Sequence, residues 1–314
     1  EAVFENIDLK NQIVKGTEMH LSEGGFWGSN TSTLPITTLA KASSKPENFI
    51  GTHFFSPVDK MPLVEIIAGE NTSSEALAKA FDFTLQIGKT PIVVNDSLGF
   101  FTSRTFSTYV DEGATLLLEG VHPVKIENLG KSIGMPVGPL QVQDEVSLEL
   151  SRKVSDTWEA MGFADKWGSG DTQRRVVKDL LIDKGRGGRH HGGGYYEYHE
   201  DGTKNIWPGL FDLYYDKSVQ ISDGDIKDRL MFRQVIETLK CYETGVLRSV
   251  ADANIGSIMG IGAPAHTGGF IQFVNTYGLD RFIDRCNELS QSYGDRFNCP
   301  EIVKQKISKG DIFV

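Results

Sequence analysis

The sequence predicts an α/β sheet region followed by an all-α region, and three observations support this fold class. Up to about residue 96, short apolar runs typical of buried strands alternate with amphipathic helical segments. From Gly99 onward strand signals become rare and helical periodicity dominates. Two segments of the helical region also resemble each other, so we expect this region to contain a duplicated unit.

The sheet region contains five apolar segments and two amphipathic segments. An apolar start at residues 2–4 indicates that the chain begins within a strand, and since no initiator methionine, signal peptide or transit sequence precedes it, we expect a truncated chain. Further apolar runs lie at residues 25–28, 49–55, 63–67 and 91–94, and helices are predicted around residues 7–14 and 75–87. The alternation is typical of the second half of an α/β sheet domain.

The helical region begins with predicted helices at residues 104–118 and 124–133. Its internal repeat places Arg104 and Gly120 at the same separation as Arg229 and Gly245. A chance match stays possible, but the order of features favours two helical halves. The predicted domains are residues 1–96, 97–215 and 216–314.

Composition and charge exclude several classes of protein. The 314 residues are 39% hydrophobic and 24% charged, which is close to the soluble globular average and argues against disorder. A net charge of -10 argues against nucleic acid and anionic membrane surfaces as partners. No apolar run approaches the roughly 20 residues of a membrane-spanning helix, so we expect no membrane insertion. Three widely spaced cysteines fit a reducing compartment and no disulfide framework.

A glycine-rich segment at residues 184–196 superficially suggests a phosphate-binding loop. No βαβ pattern surrounds it, and its Gly-Tyr-Tyr-Glu-Tyr ending is typical of a turn that leads into an extended segment. His190 and His191 could bind a metal ion, but adjacent loop histidines are more often exposed and no third ligand is evident. We therefore predict a structural turn and no metal site.

Two ionisable residues interrupt apolar runs in the sheet region. His53 precedes two phenylalanines, and Glu65 lies within Leu-Val-Glu-Ile-Ile. Each residue alone would be an ordinary core histidine or an edge glutamate, but two such residues in neighbouring buried strands could pair. A carboxylate bonded to one ring nitrogen leaves the other nitrogen to act as a base. Spacing alone leaves the catalytic and the structural interpretation open.

Several ordered motifs resemble those of the 3-hydroxyacyl-CoA dehydrogenase family, above all the dehydrogenase portions of multifunctional fatty-acid β-oxidation proteins. The motifs are Asn-Thr-Ser-Thr-Leu-Pro-Ile from residue 30, His-Phe-Phe-Ser-Pro-Val from 53, Met-Pro-Leu-Val-Glu-Ile-Ile from 61, Asn-Asp-Ser-Leu-Gly-Phe-Phe from 95 and Ile-Gly-Met-Pro-Val-Gly-Pro from 133. The resemblance extends over nearly all of the chain. It implies the C-terminal half of a Rossmann-like NAD-binding domain followed by a duplicated helical domain.

The resemblance also implies roles for individual residues. His53 would be the general base or acid, with Glu65 as its orienting carboxylate, and Ser32 would contact the 3-hydroxyl region and the cofactor. Glu5 and Lys10 match positions that contact NAD, although without the resemblance they would be an ordinary exposed helical pair. The implied reaction is NAD-dependent oxidation of (S)-3-hydroxyacyl-CoA to 3-oxoacyl-CoA.

The sequence departs from the family pattern at three positions. Ser56 and Ser103 stand where the family commonly has asparagine, so their contacts to nicotinamide and to the substrate carbonyl would be weaker or bridged by water. The Thr-Ser-Arg form at Ser103 is interpreted as a subfamily trait. Met259 replaces a tyrosine of related enzymes that is suggested to contact substrate, which puts this contact in doubt.

The largest departure is the missing Gly-x-Gly-x-x-Gly loop, whose amides hold the pyrophosphate of a dinucleotide. We therefore expect this chain alone to bind NAD poorly, and a catalytically silent acyl-CoA-binding or assembly module is the alternative function. A dehydrogenase of free 3-hydroxy acids is disfavoured by the extended resemblance. The resemblance further implies a homo-oligomer or a β-oxidation complex with a thiolase, in a bacterial cytoplasm or in a eukaryotic mitochondrion or peroxisome.

Overall fold

The computed structural model describes residues 1–160 and 170–314. Two compact units are formed, one by residues 1–105, 235–285 and 299–314 and the other by residues 106–234 and 286–298. These units do not follow the predicted division at residues 96 and 215, because three long helices each contribute residues to both units. That division stays a prediction, and residues 161–169 of its second domain lie outside the described part of the chain.

The helices are α1 (Ile7–Thr17), α2 (Ile36–Ala40), α3 (Ser74–Gln86), α4 (Thr102–Leu118), α5 (Pro123–Ser132), α6 (Pro139–Val146), α7 (Leu148–Ala160), α8 (Gly170–Val176), α9 (Gly209–Leu213), α10 (Asp223–Glu243), α11 (Val250–Gly256), α12 (Phe270–Tyr277), α13 (Leu279–Tyr293) and α14 (Glu301–Lys309). Two π-helical segments follow α8 and α11, at Val177–Ile182 and Ser257–Ile261. The predicted helices at residues 7–14, 75–87, 104–118 and 124–133 are therefore all present. Among the described residues, no helix has the length and apolarity needed to span a membrane.

The strands are β1 (Trp27–Ser29), β2 (Phe49–Phe54), β3 (Leu63–Ala68), β4 (Thr90–Asn95), β5 (Tyr196–Tyr198) and β6 (Lys204–Ile206). The first four form a mixed sheet in chain order, in which β1 and β2 are parallel, β2 and β3 antiparallel, and β3 and β4 parallel. Every residue of β3 is buried, as expected for a central strand covered on both faces. The predicted α/β region followed by helices is confirmed.

The prediction of a strand at residues 2–4 is wrong for the described structure. Only Glu1 contacts the sheet through its backbone: its ammonium group donates to the carbonyl of Gly28, and its carbonyl accepts from Asn30 N–H. Residues 2–4 have no comparable ladder of backbone hydrogen bonds, and a strand requires one. Their apolar composition alone therefore gave a misleading signal.

The helical repeat has a structural counterpart in two helix pairs, α6–α7 and α12–α13. Before α6, the Glu127 carboxylate accepts hydrogen bonds from the backbone of Leu140 and Gln141. Before α12, the side-chain oxygen of Asn254 accepts from the backbone of two residues at the same helix positions, Ile271 and Gln272. In both halves, a side chain from an earlier helix thus caps the N-terminus of a later one.

The residue that joins the two helices of each pair has a positive φ angle. It is Ser147 in one half, with φ of 77°, and Gly278 in the other, with φ of 91°. Only glycine adopts such a conformation without steric cost, so the first half carries local strain that the second half lacks.

The glycine-rich segment forms the predicted turn that leads into an extended segment, β5. Asp144 lies inside this turn, where its carboxylate accepts hydrogen bonds from the backbone of Tyr195 and Tyr196. Burial raises the pKa of Asp144 to about 6.

His190 is exposed, and His191 contacts Glu149 at 2.9 Å. Within the described ranges, no group of three or more potential metal ligands occurs.

Candidate active site

His53 and Glu65 lie directly opposite each other on the antiparallel strands β2 and β3. His53 Nδ1 is 3.0 Å from Glu65 Oε2. The two residues are 6% and 0% exposed, respectively, so water screens their interaction very little. The predicted pairing of these two residues is therefore present in the structure.

Glu65 accepts further hydrogen bonds from the first turn of α4. Its Oε1 accepts from the backbone of Phe101 at 3.0 Å and of Thr102 at 3.1 Å, and its Oε2 accepts from the Thr102 hydroxyl at 2.5 Å. The first amides of a helix have no partner within the helix and attract negative charge. The helix terminus therefore stabilises a carboxylate that burial would otherwise make costly.

These contacts determine how the imidazole is oriented. The two backbone amides can only donate, so both hold Glu65 as an acceptor. A carboxylate that accepts at both oxygens pairs with Nδ1–H of a neutral imidazole, which leaves Nε2 with its lone pair. The rings of Phe55 and Phe100 lie 4.6 and 6.3 Å from the His53 ring, centroid to centroid, and complete an apolar surrounding. The arrangement can move a proton at Nε2.

The turn between β4 and α4 directs the amides of this helix toward Glu65. Gly99 and Phe100 have φ angles of 67° and 51°. For a bulky residue such as Phe100, this left-handed conformation costs about 1–2 kcal/mol. The surrounding structure holds it in place, since Phe100 is fully buried. Strain is thus stored beside the His53–Glu65 pair.

Ser32 is exposed, and it lies in a loop of otherwise buried residues that Glu5 holds in place. Glu5 Oε1 accepts hydrogen bonds from the backbone of Ser32 at 3.0 Å and of Thr33 at 2.9 Å, and also from the hydroxyls of Thr31 and Thr33. The same loop is attached to β2, because Asn30 Oδ1 accepts from Phe54 N–H at 2.8 Å, one residue beyond His53. Ser32 therefore belongs to a loop fixed next to the strand that carries His53.

Lys10 is fully buried, so the interpretation of Glu5 and Lys10 as an ordinary exposed helical pair is wrong. Its ammonium group contacts Glu1 Oε1 at 3.0 Å and Glu5 Oε2 at 3.4 Å. Both carboxylates precede α1 in the chain, so a helical pattern could not reveal them. Lys10 thereby supports the carboxylate that holds the Ser32 loop, and its direct contact with a cofactor stays a prediction.

The remaining predicted site residues occupy different parts of the first unit. Ser56 is exposed two residues after β2, and Ser103 is half-buried in the first turn of α4. Met259 is 37% exposed in the second π-helical segment. Its neighbour Gly260 packs so closely that a Cβ there would lie 2.6 Å from Leu63 and 3.4 Å from the ring of Phe55. Met259 therefore directly precedes the residue whose backbone covers the Phe55 side of the His53 site.

Thr102 is the residue of this site that the sequence did not reveal. It contributes both a backbone amide and a hydroxyl to Glu65, and it is 1% exposed. The one available signal was its place directly after Gly-Phe-Phe at a helix start, where threonine often serves as a polar terminus residue. Nothing in that signal indicated Glu65 as the partner.

Comparison with known families matches two segments of the chain. Residues 1–97 match the model of the 3-hydroxyacyl-CoA dehydrogenase NAD binding domain, and residues 99–198 match that of the C-terminal domain of the same enzymes. The mixed sheet and the helical region that follows it thus belong to the class of proteins built from these two domains. The chain belongs to the 3-hydroxyacyl-CoA dehydrogenase family, as the motif resemblance predicted.

The curated relatives are longer than this chain. The fatty acid oxidation complex subunit alpha of Shewanella amazonensis is 37% identical over 317 residues, which cover 100% of this chain and 44% of the relative. The subunit of the same name from Vibrio parahaemolyticus is 36% identical over 95% of this chain and 41% of the relative. The chain therefore spans less than half the length of these relatives.

Solved structures show the same fold. The 3-hydroxybutyryl-CoA dehydrogenase of Escherichia coli superposes with a TM-score of 0.80 at 21% identity, covering 99% of this chain and 81% of that one. The dehydrogenase part of multifunctional enzyme 1 from C. elegans gives a TM-score of 0.65 at 26% identity, covering 96% and 70%.

Proposed function

We propose that this chain carries the proton-transfer residues for NAD-dependent oxidation of (S)-3-hydroxyacyl-CoA to 3-oxoacyl-CoA in fatty-acid β-oxidation. The observation that supports the proposal best is the buried pair of His53 and Glu65, 3.0 Å apart, with the carboxylate held by a helix terminus. The names of the curated relatives give the metabolic setting. Because the chain covers 44% of such a relative, the activity of the whole protein is part of the proposal.

In the forward reaction, His53 Nε2 accepts the proton of the 3-hydroxyl group as the C3–H bond breaks and the carbonyl double bond forms. NAD, when bound, would supply the hydride acceptor for C3. The new positive charge on His53 lies next to the Glu65 carboxylate, whose attraction is strong in this dry surrounding. In the reverse direction, the same imidazolium returns the proton to the oxygen.

The positions of Ser32 and Ser56 support their assignment to the nicotinamide end of the cofactor. Ser32 and Ser56 are exposed beyond the carboxyl ends of the parallel strands β1 and β2, the edge at which dinucleotides bind in such sheets. Glu5 fixes the Ser32 loop, with Lys10 as its ion-pair partner. The described residues offer no glycine-rich βα turn for the pyrophosphate. We therefore assign to this chain only the part of the NAD-binding site that contacts the nicotinamide.

For the substrate, we assign contacts to Ser32, Ser103 and Met259. The acyl-CoA class follows from the family, and we also propose cytoplasmic location and assembly as a homo-oligomer or with a thiolase.

The second candidate function is a catalytically silent acyl-CoA-binding module. It is favoured by the missing glycine loop and is tested by measuring CoA binding without NAD.

The experiment follows NADH absorbance in the presence of acetoacetyl-CoA, with this chain and a His53→Gln variant prepared identically. Because the chain binds NAD poorly without the glycine loop, we expect the unsubstituted chain to oxidise NADH slowly and the variant to lose most of that rate. If neither chain is active, both are tested again after a Gly-x-Gly-x-x-Gly nucleotide-binding segment is fused before residue 1. Activity that then depends on His53 supports the dehydrogenase, whereas continued inactivity of a folded fusion contradicts it and favours the binding module.

A further inference from the structure

Thr102 contacts both oxygens of the buried Glu65 carboxylate. Its backbone amide donates to Oε1 at 3.1 Å, and its hydroxyl donates to Oε2 at 2.5 Å. Oε2 is also the atom that faces His53 Nδ1 at 3.0 Å. One residue therefore holds the carboxylate from two sides and shares the acceptor atom with the imidazole.

The hydroxyl of Thr102 has a fixed direction. The residue is 1% exposed, so water cannot replace Glu65 as its partner. Threonine is branched at Cβ, and its side chain has few rotamers in a helix such as α4. The two bonds from Thr102, together with that from Phe101 N–H, oppose rotation of the carboxylate plane.

The orientation of the carboxylate decides which imidazole nitrogen carries the proton. If Oε2 faces Nδ1 in the correct direction, the Nδ1–H tautomer is favoured and Nε2 stays available as the base. If the carboxylate rotates, Nδ1–H loses its acceptor and the other tautomer becomes populated. The second tautomer has no lone pair at Nε2 and cannot accept a proton there.

We propose that Thr102 is a positioning residue, which fixes the Glu65 carboxylate by its hydroxyl and thereby keeps His53 in the Nδ1–H tautomer. This role rests on the proposed function for its catalytic meaning, but the tautomer itself can be measured without cofactor or substrate. A purely structural threonine would affect stability and leave the tautomer unchanged.

The test is ¹⁵N NMR of the histidine side chains at about pH 9, where an ordinary imidazole is neutral. The chain has 7 histidines, and the signal that disappears in His53→Gln identifies His53. In Thr102→Val, which keeps the branched shape and removes the hydroxyl, we expect His53 to populate both tautomers. We also expect its Nδ1 proton to exchange with water about tenfold faster, as fits the loss of a hydrogen bond to a charged group.

Two variants serve as controls. Thr102→Ser retains the hydroxyl and should restore the parent spectrum. Thr84→Val removes another fully buried hydroxyl, which donates to the carbonyl of Ala80 in α3, and should leave His53 unchanged. If Thr102→Val does not fold, Thr102→Ala removes the same hydroxyl without adding a methyl group, and the same result is expected.

Ring signals of His53 that are the same in Thr102→Val or Thr102→Ala as in the parent overturn the proposal. A change of equal size in Thr84→Val does so as well, because it would show a general loosening. In an active fusion with a nucleotide-binding segment, Thr102→Val should lower kcat about tenfold and leave KM within about twofold. Turnover that does not depend on His53 would contradict the proposed function alone, whereas an unchanged tautomer with His53-dependent turnover would contradict this inference alone.

Discussion

Glu65 in the sheet region and Glu127 in the helical region have nearly the same surroundings. Each is buried, and one oxygen of each accepts from two consecutive amides at a helix N-terminus. The other oxygen accepts from a hydroxyl, Thr102 at 2.5 Å in one case and Tyr196 at 2.7 Å in the other. The difference is His53, which contacts Glu65 and has no counterpart among the partners of Glu127 in the described part of the chain.

This comparison distinguishes a buried carboxylate with a structural role, Glu127, from one with a proposed chemical role, Glu65. A buried carboxylate at a helix terminus is a way of joining two segments of the chain. For Glu127, burial raises the pKa of the carboxyl group, and the Tyr196 hydroxyl and two amides oppose that effect. At Glu65 a histidine is added to the same set of neutral contacts, and the carboxylate can then support proton transfer.

The largest expected effect follows from removing charge at each of these glutamates. In an active fusion, Glu65→Gln should lower kcat/KM about 10³-fold, because the amide can donate to Nδ1 and select the wrong tautomer. Glu127→Gln should leave kcat/KM within about twofold, since its amide can donate to the oxygen of Tyr196. Steady-state kinetics on both variants checks this, and equal losses would show that the two sites do not differ in kind.

The next effect concerns stability in the two helical halves. Glu127→Ala leaves three donors unpaired and should lower the free energy of unfolding by about 3–4 kcal/mol. Asn254→Ala leaves two donors unpaired and should cost about 1–2 kcal/mol. Urea unfolding of both variants measures the difference. A larger loss for Asn254→Ala would contradict the expectation that the Glu127 cap contributes more to the free energy of unfolding than the Asn254 cap does.

Stability should also depend on pH through Asp144, whose folded-state pKa of about 6 lies above the ordinary value of 3.8. Between these values the folded state binds a proton that the unfolded state has lost, so its stability falls as pH rises from about 4 to about 7. The expected loss is about 2–3 kcal/mol. It is measured as the change, over this pH range, in the stability difference between parent and Asp144→Asn. A constant difference would exclude Asp144 as its source.

The smallest effect is expected at the strained junction of the first helical half. Ser147→Gly relieves the positive φ of 77° but removes the hydroxyl that accepts from Leu150 N–H. Since glycine costs only a few tenths of a kcal/mol as a helix cap, the net gain should be about 0.5 kcal/mol. Gly278→Ala, at the equivalent junction, should instead lose about 1 kcal/mol. Thermal unfolding of both variants measures these changes. A loss of stability in Ser147→Gly or a gain in Gly278→Ala would contradict the expectation.

The sequence predicted the parts of the site that reside in continuous patterns. His53 and Glu65 could be found because each interrupts an apolar run, and each run is visible in the sequence as a separate short strand. Thr102 could not, because its partner is set by how β3 and α4 pack. The burial of Lys10 was missed for the same reason, since Glu1 and Glu5 reach it from outside the helix.

The left-handed turn at Gly99 and Phe100 has a consequence for hydrogen exchange. First-turn amides of helices usually exchange rapidly with solvent deuterium because they lack partners within the helix. Here the amides of Phe101 and Thr102 are buried and bonded to Glu65, so they should be among the slowly exchanging sites of the chain. Their protection would report, without any ligand, whether the carboxylate that faces His53 is in place.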